Sequence, residues 1–107
     1  MNCSVQELKE KLARGDDFVL LDVRTEEELA IVKIEGCVHI ALHELEAGVG
    51  QLAGDKEREI LCLCHHGGRS AMAQRFLLSA GFKDVKNVPG GIHAYAEQVD
   101  PSLATYG

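Results

Sequence analysis

A cysteine, two histidines, two glycines, an arginine and a serine occupy positions 64–70, directly after the apolar run Ile60-Leu61-Cys62-Leu63. A strand ending in a cysteine, a glycine-rich turn and a helix that opens with an arginine form an anion-binding loop. The backbone N–H groups of the turn and of the helix N-terminus converge there on one point. The positive field of such a loop stabilises the thiolate form of Cys64 near neutral pH. The segment therefore predicts an active site in which this thiolate attacks an anionic substrate.

The residues around Cys64 support this interpretation to different degrees. A positive charge at a helix N-terminus is unfavourable by about 0.3–1 kcal/mol, so Arg69 predicts a compensating anion nearby. Gly67 and Gly68 permit the positive φ angles that turn backbone amides inward, although an ordinary turn would also use them. His65 and His66 either line the rim and tune the choice of substrate or are solvated loop residues.

Two alternative roles for the cysteines are open at this point. Cys64 could be an inert core thiol, which is a common state of free cysteines. Cys62 with Cys64, His65 and His66 could hold a metal, but Cys-x-Cys-His-His lacks the usual zinc-ligand spacing, so we predict no metal. Cys62 is expected to be a buried strand residue. Cys37 or Cys3 could act as a resolving thiol, but nothing in the sequence places either near Cys64.

The elements that must position the loop alternate between helix and strand. Strands are predicted from apolar runs at 18–22, 37–40, 60–64 and 85–88. Helices are predicted at 5–14, after Thr25, at 69–80 and at 92–99, with a weaker helix at 43–52 that Gly48 and Gly50 interrupt. Continuous apolar strands alternating with helices indicate a small parallel β-sheet flanked by helices on both faces, an α/β fold. Ligands bind beyond the carboxyl ends of the strands in such folds, and Cys64 falls at that edge.

Charged residues near the first strand have simpler explanations. Asp22 and Arg24 end that strand and could face the pocket, but a salt-bridged structural pair is the favoured interpretation. Glu26, Glu27 and Glu28 are predicted to be a solvated first helical turn favoured by the macrodipole.

The whole chain narrows the possible functions. Its 107 residues suit one domain spanning 1–107, with a tail at 100–107 that we expect to be only partly ordered. The N-terminus has no signal-peptide pattern, and no apolar stretch approaches the length of a membrane span. Four cysteines without framework spacing favour free thiols in a reducing cytoplasm. We expect a monomer.

The charge distribution argues against nucleic acid and membranes as partners. The formal net charge is −6, and no acidic residue lies between Glu59 and Asp84, where Arg69, Arg75 and Lys83 contribute +3. The rest of the chain therefore carries −9 (−6 minus +3). A positive segment in an acidic protein coincides with the cysteine loop and favours a small anionic ligand there.

Four segments together resemble the rhodanese family of sulfurtransferases over nearly the whole chain: Leu21-Asp22-Val23-Arg24, 36–42, 64–70 and Gly90-Gly91-Ile92. The resemblance implies a single-domain α/β rhodanese that uses no cofactor and in which Cys64 carries sulfane sulfur as a persulfide. It also implies a binding site for an anionic donor such as thiosulfate, formed by His65, His66, Gly67, Gly68, Arg69 and Ser70. The acceptor would be cyanide, a small thiol or a protein sulfur carrier.

Two other functions stay open from the sequence. The C-terminal residues, Val99 to Ser102 with Tyr106, resemble the tails of rhodanese domains fused to E1-like enzymes that activate ubiquitin-like sulfur carriers. A sulfur-relay module that acts mainly with protein partners is therefore one alternative. A cysteine-based phosphatase or arsenate reductase is another, but those loops run Cys-x5-Arg, whereas Cys64 to Arg69 is Cys-x4-Arg. The tighter ring suits a sulfur atom better than a phosphoryl group.

Overall fold

The computed structural model describes residues 1–107 and contains a four-stranded sheet in which every strand pairs in parallel. The strands are β1 (Val19–Asp22), β2 (Val38–His39), β3 (Glu59–Leu63) and β4 (Asp84–Asn87), in the order β2-β1-β3-β4. In the register, Asp22 lies beside Leu63 and Cys62 beside Asn87. The carboxyl ends of β1, β3 and β4 therefore meet at one edge of the sheet.

Five α-helices connect and cover the strands: α1 (Val5–Arg14), α2 (Glu26–Ile31), α3 (Leu45–Gly48), α4 (Gly68–Ser79) and α5 (Gly91–Gln98). Reciprocal capping boxes begin α1 at Ser4 with Glu7 and α2 at Thr25 with Glu28, so both predicted helix starts are confirmed. None of the helices has the length and apolar character needed to span a bilayer.

Alternate side chains of the strands pack into two separate hydrophobic cores, one on each face of the sheet. Leu21, Ile60 and Cys62 pack with Ala73 and Leu77 of α4 on one face. On the other face, the core is formed by α1, α5 and the intervening strand residues, which include Leu8, Leu20, Leu61, Leu63 and Ile92. The two central strands, β1 and β3, are buried on both faces, and their sequences are accordingly almost continuous apolar runs. The parallel sheet with helices on both faces confirms the predicted fold class.

Two weaker predictions concern 43–52 and the tail. The interrupted helix expected at 43–52 is the short α3 flanked by 3₁₀ turns at Leu42–Glu44 and Val49–Asp55. Gly48 and Gly50 lie in this region, and each glycine costs roughly 1 kcal/mol in a helix interior relative to alanine, which breaks the segment into short turns. In the tail, which we expected to be only partly ordered, Tyr106 is half-buried and hydrogen-bonded to the body of the protein.

Candidate active site

Cys64 lies directly after β3, at the carboxyl edge of the sheet, as the sequence predicted. It is buried, with 1% of its surface exposed. Its Sγ accepts a hydrogen bond from the backbone N–H of Gly67 at 3.0 Å and lies 3.3 Å from the Ser70 hydroxyl. A sulfur held between an amide and a hydroxyl, at the base of a loop, is positioned to carry negative charge.

The loop presents unpaired amides around this sulfur. Gly67 has a φ of +111°, and a Cβ there would lie 3.1 Å from the backbone nitrogen of Gly90, so this turn requires glycine. The backbone N–H groups of four loop residues donate to no protein acceptor: His65, His66, Gly68 and Arg69. Since the last two belong to the first turn of α4, they also carry the positive end of its dipole. The loop can therefore accept an anion.

The N-terminus of α5 holds the outer side of the same loop. The N–H of Ile92 donates to the carbonyl of Cys64 at 2.9 Å, and the N–H of His93 donates to the carbonyl of His65 at 3.2 Å. A Cβ on Gly91, which has a φ of +61°, would lie 2.3 Å from the Cys64 carbonyl oxygen. Only glycine permits this approach, which explains the Gly90-Gly91 pair in the sequence.

Behind the loop, Ser70 and Asn87 form a buried polar connection to the sulfur. The Ser70 hydroxyl donates to Oδ1 of Asn87, whose Nδ2 donates to the Gly67 carbonyl at 3.3 Å. Because the only hydroxyl proton of Ser70 is used there, its oxygen accepts from the thiol form of Cys64. When the thiol ionises, Ser70 can rotate its proton towards the sulfur. Sequence reasoning missed Asn87; a polar residue that ends a strand at the ligand edge was the signal.

The compensating anion for Arg69 belongs to the protein itself. Its Nη1 and Nη2 donate to the two carboxylate oxygens of Glu28 in α2, at 2.6 and 2.9 Å. The expectation that Glu28 is a solvated helical residue is therefore wrong, whereas Glu26 and Glu27 are exposed as predicted. The Nε–H of Arg69 bonds to no protein atom, so the prediction that Arg69 contacts the donor stays a prediction.

Both members of this pair are electrostatically shifted. The Arg69 guanidinium holds the pKa of the Glu28 carboxyl well below its usual range, and hydrogen bonds from Tyr106 and Thr25 act in the same direction. The carboxylate in turn raises the pKa of Arg69. The pair is therefore charged but nearly neutral overall, and the free amides supply much of the positive potential at the sulfur.

Three imidazoles gather at the rim of the loop. The ring centroids of His65 and His66 are 3.9 Å apart, and His93 of α5 lies 5.7 Å from the first and 5.0 Å from the second. Burial lowers the pKa of His65, and the neighbouring His66 lowers it further. The structure thus places both predicted histidines at the rim and adds His93, which nothing in the sequence had connected with them.

Asp22 and Arg24 form the structural pair that the sequence favoured. Both side chains are fully buried, and Arg24 Nη2 lies 2.8 Å from Asp22 Oδ2. The same nitrogen donates to the Val32 carbonyl at 2.8 Å, at the end of α2. This pair anchors α2, and with it Glu28, to the end of β1.

The other cysteines differ from Cys64 in their surroundings. All four are free thiols. Burial raises the pKa of Cys62 to about 12 and that of Cys3 to about 11, and burial also raises the pKa of Cys37. Thiols of high pKa are poor nucleophiles, so reactivity is expected at Cys64 alone. No group of three or more histidine, cysteine or acidic side chains has the arrangement of a metal site.

The surface cavities of the protein lie away from the sulfur. None of the five is lined by Cys64, and the one nearest to it in sequence, about 270 Å³, lies between Leu42, Leu45, Met72 and Phe76.

Comparison with known proteins agrees with this geometry. The family model of the rhodanese-like domain matches residues 4–98. The chain is 36% identical over 98 residues to the putative sulfurtransferase YtwF of Bacillus subtilis, and the match covers 92% of each chain. It is 36% identical to the putative sulfur carrier protein YrkF of Bacillus subtilis over 91% of this chain and 51% of YrkF. It is also 35% identical to the probable adenylyltransferase/sulfurtransferase MoeZ of Mycobacterium tuberculosis, over 94% of this chain and 26% of MoeZ.

The chain therefore spans about half or less of the length of the last two relatives. Among solved structures, a rhodanese-like domain protein from Staphylococcus aureus superposes with a TM-score of 0.83 at 30% identity and 100% coverage of both chains. The human single-domain sulfurtransferase TSTD1 gives a TM-score of 0.78 at 29% identity, covering 91% of this chain and 96% of its own. The family model matches most of the chain, and the Staphylococcus aureus structure superposes over the full length of both chains. Together with the cysteine loop at the carboxyl edge of the parallel sheet, these matches show that the chain belongs to the rhodanese-like family of sulfurtransferases.

Proposed function

We propose that Cys64 transfers sulfane sulfur in two displacement steps. In the first step, the Cys64 thiolate attacks the outer sulfur of thiosulfate. The S–S bond of the donor breaks, sulfite leaves with the bonding electron pair, and a Cys64 persulfide anion remains. In the second step, an acceptor such as cyanide attacks the terminal sulfur, which regenerates the thiolate and releases thiocyanate. The negative charge is conserved in each step, and no cofactor takes part.

The observation that carries this proposal is the surroundings of the Cys64 sulfur. An amide N–H lies 3.0 Å from Sγ, and four further loop amides are free of protein acceptors. Preorganised donors of this kind stabilise charge that develops on a nucleophile or on a leaving group, in a site from which water is largely excluded. These donors can stabilise the negative charge of the thiolate, of the donor sulfonate and of the persulfide.

The donor is proposed to be a small anion, thiosulfate or a related persulfide. None of the surface cavities is lined by Cys64, the Glu28–Arg69 pair is nearly neutral, and the free amides are confined to a few residues. The proposed donor-binding set consists of the loop residues His65, His66, Gly67, Gly68, Arg69 and Ser70. The free thiols agree with a reducing compartment, for which we propose the cytoplasm.

A sulfur relay between protein partners is the second candidate. It is favoured by two relatives, one named as a putative sulfur carrier and the other joining an adenylyltransferase to a sulfurtransferase. The terminal sulfur on Cys64 would then pass to a protein acceptor. Slow turnover with cyanide and small thiols, combined with fast transfer to a carrier protein, would favour this candidate over a small-molecule enzyme.

The first test is the intact mass of the protein after incubation with thiosulfate. We expect wild type to gain the mass of one sulfur atom, and cyanide or a thiol to remove it. Cys64→Ser is expected to gain nothing and to stay folded, because serine can keep the hydrogen bond with Gly67. Cys37→Ser, which removes a half-buried thiol elsewhere, serves as the matched control and should load like wild type.

Removal by cyanide matters, because a sulfinic acid adds two oxygens of nearly the same mass and does not reverse in this way. Loading of Cys64→Ser would contradict the assignment of Cys64 as the sulfur carrier. If wild type gains nothing from thiosulfate, glutathione persulfide, cysteine persulfide or the persulfide of a cysteine desulfurase, the proposed activity is wrong.

A further inference from the structure

The C-terminal tail returns to the active-site loop. After α5, a turn in which the N–H of Leu103 donates to the Asp100 carbonyl at 3.1 Å reverses the chain. The side chains of Leu103 and Tyr106 then pack against the core on the α1–α5 side of the sheet. Tyr106 thus reaches the loop from a position 42 residues beyond Cys64.

The hydroxyl of Tyr106 joins two ion pairs. It donates to Oε2 of Glu28 at 2.6 Å and accepts from Nη1 of Arg24 at 3.1 Å. Glu28 is the partner of Arg69, and Arg24 is the partner of the buried Asp22. A continuous hydrogen-bonded series therefore runs from the end of β1, through the phenol, to the arginine that begins α4.

The rest of Tyr106 contacts the other side of the loop. Its ring stacks on the His65 ring, with centroids 3.9 Å apart and planes at 10°. Its backbone carbonyl lies 2.9 Å from Nε2 of His65. Since a carbonyl can only accept, the proton of His65 is on Nε2. One residue of the tail therefore holds both the first loop residue after Cys64 and the carboxylate that orients Arg69.

We propose that Tyr106 is a positioning residue of the sulfur-transfer site, which fixes Arg69 through Glu28 and fixes His65 by stacking. This inference rests on the proposed function, because its kinetic effect is expected on binding of the anionic donor. Tyr106 does not touch the reacting sulfur. It fixes the positions of the Arg69 guanidinium and the His65 imidazole at the time when the donor enters the loop.

Removing the Tyr106 hydroxyl distinguishes its role in fixing Arg69 through Glu28 from its stacking on His65. Tyr106→Phe keeps the stacked ring and loses both hydrogen bonds, one of which is to a carboxylate. We expect KM for thiosulfate to rise about tenfold, the effect of one lost charge-assisted hydrogen bond, with kcat changed less than about twofold. Tyr106→Ala also uncovers His65, and the KM effect should be larger.

A second measurement does not depend on sulfur transfer. Burial is the main cause of the lowered pKa of His65, and the neighbouring His66 and His93 lower it further. The hydrogen bond with the Tyr106 carbonyl and the charge of Glu28 act in the opposite direction and raise it. In Tyr106→Ala the imidazole becomes solvated, so its NMR titration midpoint should rise towards the ordinary value. In Tyr106→Phe the ring still covers it, and the midpoint should move less.

Tyr95→Phe is the matched control. Tyr95, the other tyrosine, is 6% exposed in α5, and its hydroxyl makes no hydrogen bond to the protein. This variant should keep the wild-type KM and the wild-type His65 titration. Because Tyr106→Phe removes a single oxygen atom, it keeps the test valid even if Tyr106→Ala folds poorly.

An unchanged KM in folded Tyr106→Phe and Tyr106→Ala would overturn the proposal, and so would an equal rise in KM caused by Tyr95→Phe. If wild type takes up no sulfur from any donor, the proposed function has failed instead. In that case, a shifted His65 titration in Tyr106→Ala still supports the positioning role, and an unshifted one overturns it.

Discussion

At the scale of single residues, the surroundings of Cys64 distinguish it from the other cysteines. Cys62 lies two positions earlier on the same strand, yet burial in an apolar core raises the pKa of its thiol to about 12. Cys64 instead receives a hydrogen bond from the Gly67 amide and lies beside the Ser70 hydroxyl. Both residues are about equally buried, so local polarity, rather than exposure, distinguishes Cys64 as the proposed nucleophile.

The Ser70 hydroxyl is expected to assist nucleophilic attack by Cys64. In Ser70→Ala the sulfur loses a polar neighbour, and the buried Oδ1 of Asn87 loses its donor. We expect the rate of Cys64 alkylation by iodoacetamide to fall about tenfold, because the sulfur keeps only the Gly67 amide as a hydrogen-bond partner. The free energy of unfolding should fall by about 1–3 kcal/mol, the cost of an unsatisfied buried acceptor.

Ser79→Ala is the control for this substitution, since Ser79 is an exposed serine of the same helix that bonds only to the Phe76 carbonyl. It should alkylate at the wild-type rate. An alkylation rate of Ser70→Ala equal to that of wild type would show that the hydroxyl has no part in activating the sulfur.

At the scale of elements, the loop is held between two helices that begin beside it. α4 begins at Gly68, and its first amides have no protein acceptor, whereas the first amides of α5 donate to the carbonyls of Cys64 and His65. Those two carbonyls are thereby turned towards α5, while the Gly67 amide donates to the sulfur. The close approach of α5 depends on Gly91, whose Cβ position is occupied by the loop backbone.

Gly91→Ala should therefore damage the site and the fold together. The φ of +61° is strained for alanine, and the methyl group would overlap the Cys64 carbonyl, so we expect a loss of at least about 2 kcal/mol in the free energy of unfolding. Persulfide formation should fall in parallel, because α5 must move away from the loop. Urea unfolding and thiosulfate loading measure the two effects.

Gly54→Ala provides the comparison, because no atom lies within 4 Å of its Cβ position. Its unfolding free energy should stay within about 0.5 kcal/mol of wild type. Equal stabilities for Gly91→Ala and Gly54→Ala would contradict the packing argument.

At the scale of the whole molecule, residues distant in sequence form one polar network at the ligand edge. Glu28 of α2, Arg69 of α4 and Tyr106 of the tail meet there, and Arg24 connects them to β1. Their charges balance, so the acidic chain of net charge −6 keeps a nearly neutral site with free amide donors. The anionic donor that we propose would then be attracted by local dipoles and not by the overall charge of the protein.

This network makes stability depend on pH in the acidic range. The pKa of Glu28 is lower in the folded state than in the unfolded chain, owing chiefly to Arg69. A depressed pKa contributes stability that is present above the unfolded value and is lost as the pH falls through and below it. The wild-type free energy of unfolding should therefore decline from about pH 5 downwards, whereas Glu28→Gln should be less stable at about pH 7 and decline less steeply.

Glu26→Gln changes an exposed residue of the same helical turn and should follow the wild-type profile. Urea unfolding at several pH values makes the comparison. A Glu28→Gln profile parallel to that of wild type would exclude this pair as a source of the acid sensitivity.

Several features follow from the sequence alone. Capping boxes at Ser4 and Thr25 and continuous apolar strands determine helix starts and a parallel sheet, because these signals are local or periodic. The position of Cys64 after a buried strand, followed by two glycines and a helix, determines a loop at the carboxyl edge. Local conformational preference is enough for both conclusions, and it also accounts for 43–52, where glycines divide the predicted helix.

Other features are decided only by the tertiary structure. The partner of Arg69 is Glu28, 41 residues away, and the Ser70 hydroxyl meets Asn87 across two elements. His93 joins the histidine rim from α5, and Tyr106 contacts the network from the C-terminal tail, which we expected to be only partly ordered. No short-range pattern encodes these contacts, because each depends on the order of the strands and on how the helices pack over them. The sequence thus determines the candidate nucleophile and its loop, and the fold decides which side chains hold that loop in place.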